Sequence, residues 1–541
     1  MAFLRQTLVR DERRAPLIAM LAVSSLAVLT LLPGRPAAAA DDSSPSGDAT
    51  NGAANSADTS EKQSASDRQA LRRGLQREEA RIRALEQRLS QDEAALGKDG
   101  ASNQTPGAQP ASTAAGDSSG QSAATNPGAL SGTFGPQGFT LESADGRNVI
   151  RFRGNLALDY RRFDDSYTPA TADTFLVRKA RPTLEGTLDG MFDFRLMPDF
   201  AQGKTVLQDA WVAARIENWL VPQIGKFKSP VGLERLQLEE FARFIEASLT
   251  SDLLPYRDLG FQVRGDIGKG LLSYQFGVFD GAPDGQSTDS NNTPDFNTTG
   301  KFVWAGRLFA KPFRLSDWRA LNALGIGIAA TYVNASGTTT PTSTTSLLAN
   351  YKTTGQQPLF SYRGNTAANF NNATIANGIE RRFVPQANYY YGPFGLLAEY
   401  VQADQQVSRQ LTATTSRSAT LENHAWQVQG YFFLTGEKET YDQPIVPHRS
   451  VSQGGIGAWE IVARYHELAF DEAAFAGGAN SFANPATAVR NARAVGVGLN
   501  WYLAQNFRLQ FDFEQTHFEG GAANGDRPDE RVLTSQFMLV F

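Results

Sequence analysis

Cysteine is absent from the 541 residues, which excludes disulfides, thiolate metal sites and a lipid carried on an N-terminal cysteine. Histidine is nearly as scarce. The four present, His424, His448, His466 and His517, are too scattered for a metal-ligand spacing and read as loop or strand-end residues. No apolar run after Leu32 approaches about 18 residues, which excludes a helical membrane span in the mature chain. An excess of positive charge is missing too: the net charge is -5, whereas a nucleic-acid partner would favour a strongly basic surface. No serine stands out with a histidine base and an orienting group, and "LTGE" lacks the Gly-rich run and lysine of a phosphate cradle. Neither an enzyme nor a bound cofactor or metal is expected.

What is present begins with a compartment signal. The arginine-rich start, the apolar core Ala15 to Leu32 and the small residues of "PGRPAAAA" read as a secretory signal peptide over residues 1–40. Residues 41–65 are an Ala/Ser/Gly/Asp tract with too few large apolar groups to fold. Over 66–97 the pattern changes: Leu71, Leu75, Ile82, Leu85, Leu89 and Leu96 recur at alternating four and three spacing, a narrow seam that predicts an α-helical coiled coil in the periplasm and hence an oligomer. Such a stalk also admits a role as a tether between outer membrane and cell wall. A second flexible tract, 98–137, leads into the remaining domain, 138–541.

That domain is patterned at period two. In "IRFRGNLALDY" Ile150, Phe152, Leu156, Leu158 and Tyr160 share one face, and Arg151, Arg153, Asn155 and Asp159 share the other. "FRLQFDFE" alternates Phe507, Leu509, Phe511 and Phe513 with Arg508, Gln510, Asp512 and Glu514, and "AWEIVARYHE" sets Trp459, Ile461, Ala463 and Tyr465 against Glu460, Arg464 and His466. Apolar outside and polar inside is the pattern of a transmembrane antiparallel β-barrel, and the length suits about 16 strands at roughly 25 residues each with its turn. Short breaks such as "LAQN" contrast with the Asn/Thr/Gly/Ser-rich stretch Asn334 to Thr374, as tight periplasmic turns contrast with external loops. The chain finishes with Leu533, Phe537, Leu539 and Phe541 on one face, a strand that must pair with the first one so that no backbone group stays unpaired in hydrocarbon.

The block "FLVRKARPTLEGTLDGMFDFRLMPDF", Phe175 to Phe200, followed by "LQDAWVAARIENWLVPQIGKFKSPVGLE", Leu207 to Glu234, resembles the phosphate-selective porins of types O and P. The resemblance continues through "LLPYRDLGFQVRG", "WQVQGYFFLTGEKETY", "GVGLNWYLAQNFRLQFDFE" and the terminal Phe541. It implies a 16-stranded outer-membrane porin, usually a homotrimer, whose lumen carries basic residues that select small anions. It also implies that Phe541 is the end recognised by the barrel-assembly machinery.

The residues themselves are suited to that task. Anion passage needs closely spaced positive groups that offer charge-assisted hydrogen bonds and yet release the ion, and arginine meets oxyanions with a planar fork. Candidates for the pathway are Arg151, Arg153, Lys179, Arg181, Lys226, Lys228 and Arg264, concentrated in the first half of the barrel. The alternatives are a lumen wall whose bases are neutralised by acids on neighbouring strands and, for the two lysines, a strand end near lipid head groups. The segment after "GKFKSPVGLE" is too apolar and charged for an exposed tip and is expected to fold inward as a constriction loop carrying Arg235, Glu239, Glu240, Arg243 and Arg257. Arg257 is expected to tie the loop back through Asp258 or Asp252. Where the family resemblance implies a lysine or arginine in this loop, the sequence places Glu239 and Glu240, which weaken an anion's binding. The runner-up is the same barrel used for polyphosphate, an organic acid or a sugar, with weak ion selectivity.

Overall fold

The computed structural model describes residues 130–135, 138–164, 172–285 and 299–541. The signal peptide, first linker and coiled coil expected over 1–97 lie outside the described residues, as does most of the second linker.

Sixteen strands close into one antiparallel barrel. They are β1 (Val149–Phe163), β2 (Thr174–Leu188), β3 (Phe192–Asp199), β4 (Val206–Ala214), β5 (Val221–Lys228), β6 (Arg257–Ile267), β7 (Leu272–Phe279) and β8 (Val303–Ala310). The second half comprises β9 (Gly325–Ser336), β10 (Thr374–Tyr391), β11 (Phe394–Gln410), β12 (Ser416–Phe433), β13 (Ala458–Ala469), β14 (Val489–Ala504), β15 (Phe507–Ala522) and β16 (Glu530–Val540). Each pairs with its sequence neighbour. β16 then pairs with β1, in the register Gln536↔Asp159 and Phe537↔Leu158, and removes the last free edge.

The alternation read from the sequence holds along the wall. Ile150, Phe152 and Leu158 are exposed outward while Asp159 and Arg161 are buried inward, and Phe507 and Phe513 face out opposite buried Arg508, Gln510 and Glu514. The cause is the solvent on each side: a base on the lipid face at mid-bilayer costs about 2–4 kcal/mol, so only lumen positions carry it cheaply. At the seam Phe541 donates its N–H to the Gly154 carbonyl at 3.0 Å and accepts from the Gly154 N–H at 2.8 Å. Its ring lies over Gly154, where a Cβ would overlap it.

Two features depart from expectation. Leu130–Gly135, inside the stretch read as linker, is a strand that pairs with Gly138–Ser143, and the latter pairs with Val149 to Phe152 of β1 on the edge that β16 occupies higher up. The wall therefore continues past the C-terminus as a hairpin, and a strand of six residues in a Gly/Ser-rich tract is too short for period two to reveal. The lumen is also not polar all round. On β10–β13 the inward positions include Val384, Val401, Leu421, Ala425 and Leu468, which pack with Leu249, Leu253 and Leu254 of the β5–β6 connection. Tyr351 and Phe360 from the β9–β10 connection and Phe470, Phe475 and Phe482 from the β13–β14 connection join the same core, with Phe360 stacked on Phe470 at 4.0 Å. This half of the barrel is filled by three connections, β5–β6 from the other half and β9–β10 and β13–β14 from its own.

Candidate functional site

The β5–β6 connection, residues 229–256, runs into the lumen and reaches the opposite wall. A short helix, Leu233–Leu236, opens it, and the Leu233 N–H donates to Glu399 on β11 at 2.5 Å. Farther along, Arg243 pairs with Glu439 at 2.5 Å and with Glu460 on β13 at 3.1 Å. The backbone is held as well: Ile245 N–H donates to Asp512 at 2.7 Å, Leu249 N–H donates to His466 Nδ1 at 3.1 Å, and Asn500 donates to the Arg243 carbonyl at 2.9 Å. His466 is thus buried within β13 and not at a strand end, because its imidazole accepts from the inward segment. His424 and His517 also sit within strands, β12 and β15.

The same segment carries acids to the basic wall of β1–β6. Arg153 pairs with Glu240 at 2.6 Å and with Glu185 at 3.2 Å. Glu239 meets Lys179 at 3.1 Å, Arg181 at 2.5 Å and Arg257 at 3.1 Å, and also accepts from the Tyr256 hydroxyl. Arg181 keeps a second carboxylate, Asp199, at 2.6 Å, and Arg257 keeps Asp209 at 2.8 Å. Glu246 is shared by Arg161 and Arg178, the latter at 2.9 Å. Burial pushes the Glu239 and Glu246 carboxyls up, but these cations more than offset it, holding Glu239 well below the ordinary carboxylate range and Glu246 at about 2.

Two assignments change. Arg257 is the first residue of β6 and not part of the loop; it is tied to Asp209 and Glu239, not to Asp258 or Asp252, because the strand lays it along the inner face of the wall, past β5 to Asp209 on β4. Arg178 was missed. Strict alternation puts it outward between Val177 and Lys179, but the pairing passes from Ala157↔Lys179 to Leu158↔Val177, so a bulge lets Arg178 join Lys179 on the inner side. An arginine at a lipid-facing phase in mid-strand was the signal available for it.

Three cavities follow one another along this wall. The upper one, about 430 Å³, is lined by Arg178, Lys179, Arg181, Arg235, Glu239 and Glu246 among others. The middle one is only about 30 Å³, and its charged lining is Arg153, Arg181, Arg195, Lys228 and Arg257 with Glu185, Asp209, Glu239 and Glu240. The lower one, about 210 Å³, shares Arg153, Leu238, Glu240 and Val540 with the middle one. Five bases face four acids at the narrow step, an excess of one. Lys228 gives its ammonium to the Gln237 carbonyl at 2.6 Å, and Arg243 lines the upper and lower spaces. Arg151, buried Lys226 and Arg264, which donates to Gln223 at 3.1 Å, are not among the residues lining these three spaces.

A closed sixteen-stranded barrel with an apolar outside and a charged inside is matched over residues 150–541 by one family model, phosphate-selective porin O and P. The chain belongs to that family. It is an outer-membrane porin. No curated protein sequence matches it. Among solved structures, the outer membrane channel DcaP of Acinetobacter baumannii aligns at 10% identity over 74% of this chain and 99% of its own, with a TM-score of 0.45. The anion-selective porin from Comamonas acidovorans aligns at 12% identity over 72% and 99%, with a TM-score of 0.44. OmpT of Vibrio cholerae, folded in vitro, aligns at 11% identity over 73% and 98%, with a TM-score of 0.43.

Proposed function

We propose that this porin passes small anions, oxyanions such as phosphate among them, by passive diffusion along the β1–β6 wall, with the segment 229–256 as its constriction and no enzymatic step. The observation that carries this is the continuity of basic side chains through the three successive cavities, Arg178, Lys179 and Arg181 above, Arg257 and Arg195 at the step, Arg153 and Arg508 below. An anion entering meets a new guanidinium before it leaves the last, which is what conduction with selectivity requires. Selectivity is modest in this reading, because Glu239, Glu240 and Glu246 already occupy the forks an oxyanion would use. Reversal potential in a planar bilayer under a KCl gradient, followed by phosphate titration against the chloride current, tests it. Anion preference with phosphate block supports it; cation preference overturns it, and anion preference without block moves the solute to a polyphosphate, an organic acid or a sugar.

In the same reading the porin works as a homotrimer with the helix of 66–97 as a periplasmic stalk, able to reach the cell wall, and Phe541 is the end offered to the barrel-assembly machinery. Deleting 66–96 and measuring oligomer mass in detergent tests the stalk. A trimer that persists unchanged leaves association to the barrel faces.

A further inference from the structure

Below the constriction, the cavity of about 210 Å³ is enclosed by the underside of the inward segment, the β12–β13 connection and the β14–β15 turn. Arg508 on β15 lines it. The residue is 4% exposed, its guanidinium donates to the Tyr502 hydroxyl at 3.4 Å and to the Met538 sulfur at 3.3 Å, and its Nε has no hydrogen-bond partner among the described residues. Arg153, Arg161, Arg178, Arg181, Arg195 and Arg257 divide their forks among carboxylates; Arg508 has a phenol and a thioether at hydrogen-bond distance, and the Asp512 carboxylate on the same strand acts on it only from farther off. The Nε of Arg153, on the same cavity, likewise has no partner among the described residues. A buried guanidinium with an unused edge is costly unless something completes it.

The remaining wall says what that something is. Leu238, Phe241, Ile445, Tyr502 and Met538 contribute apolar surface beside Arg508, with Gln443, Gln505 and Asn506 as the neutral polar lining; of the two carboxylates, Glu240 is bound to Arg153 and Asp442 is exposed. Phosphate is surrounded by polar donors where it is held and gains nothing from five apolar or aromatic neighbours. A monocarboxylate with an aromatic body uses both parts: the carboxylate takes the fork of Arg508 in a bidentate pair, and the ring fills the apolar wall. The space is adequate, since an apolar cavity of about 150 Å³ accepts benzene.

We infer that the cavity around Arg508 is a binding site for aryl carboxylates, a solute subsite on the periplasmic side of the constriction. It rests on the reading of this porin as an open passive channel. The test is block of KCl current through the reconstituted full chain by benzoate, acetate and inorganic phosphate, each added to both sides in turn. Benzoate is expected to half-block at a concentration at least tenfold below acetate or phosphate, and Arg508→Gln to raise the benzoate value at least tenfold, with Arg508→Lys in between. Phosphate block that weakens in Arg508→Gln as much as benzoate block does, or Arg508→Gln blocked by benzoate like the unaltered protein, overturns the site. Calorimetric titration of benzoate into the detergent-solubilised protein reads the same site without conduction: binding that disappears in Arg508→Gln supports it even where no current flows, in which case the channel reading alone fails. If Arg508→Gln does not assemble, the ligand order in the unaltered protein and Leu238→Glu, which sets a carboxylate in the same cavity, decide the matter.

Discussion

Replacing Glu239 by glutamine removes one negative charge from the narrowest step and little else. Arg181 retains Asp199, Arg257 retains Asp209, the Tyr256 hydroxyl keeps an amide oxygen to donate to, and among the cations Lys179 alone is left without its carboxylate, so the wall keeps its shape. The formal balance at the step goes from an excess of one base to an excess of two. For a monovalent ion passing about 6 Å away, one unit charge is worth about 0.7 kcal/mol at the dielectric of water and about 3 kcal/mol at an effective value near 20. Taking roughly 1 kcal/mol, an anion gains that amount and a cation loses it, and the permeability ratio moves toward anions by roughly 10- to 30-fold. The assay is the reversal potential under a KCl gradient near 0.1 M, where the screening length is about 10 Å; in 1 M salt, where it is about 3 Å, the shift shrinks. A ratio that stays put or moves toward cations, in a variant that still inserts, refutes the assignment of Glu239 to the ion path.

Three other outcomes follow from the structure. Gly154→Val and Phe541→Lys each deprive the seam of its aromatic seat, so both should lower the amount of heat-modifiable barrel recovered from outer membranes; equal recovery would mean that closure does not depend on this contact. Leu253→Ala empties part of the apolar filling and should cost about 2–5 kcal/mol of packing, loosening the inward segment and raising single-channel conductance or its noise. Glu246 has a folded value of about 2 against an ordinary 4.5, so its contribution, up to about 3 kcal/mol, is complete above pH 4.5 and lost as the pH falls toward 2. Glu246→Gln should therefore be less stable at pH 7 and converge on the unaltered protein in acid, whereas a gap that persists to pH 2.5 would show that the Arg161 and Arg178 pairs are not the source.

The barrel was legible in the sequence because lipid and lumen impose opposite chemistry on successive residues. Alternation in "FRLQFDFE" and "IRFRGNLALDY" gives the face of each side chain without knowledge of any neighbour, and the same period in Leu533, Phe537 and Leu539 marks the strand that pairs with β1. The bias of bases toward the first strands, and the inward fold of an apolar and charged connection, could be read the same way. What alternation cannot register is an extra residue or a distant partner. Arg178 turns inward only because β2 bulges against β1. The inward apolar positions Val384, Leu421 and Leu468 are indistinguishable from any buried strand residue until three loops are seen to cover them. Arg243 finds Glu439 across 196 positions of chain, and Arg508 is set apart only by having a phenol and a thioether, not a carboxylate, at hydrogen-bond distance. Alternation along each strand sorts most side chains between lipid and lumen before any neighbour is known; which of the lumen charges are already spent on one another is settled only by the folded barrel, since pairing energy depends on distance, and distance inside a lumen is set by the closed sheet and the loops within it.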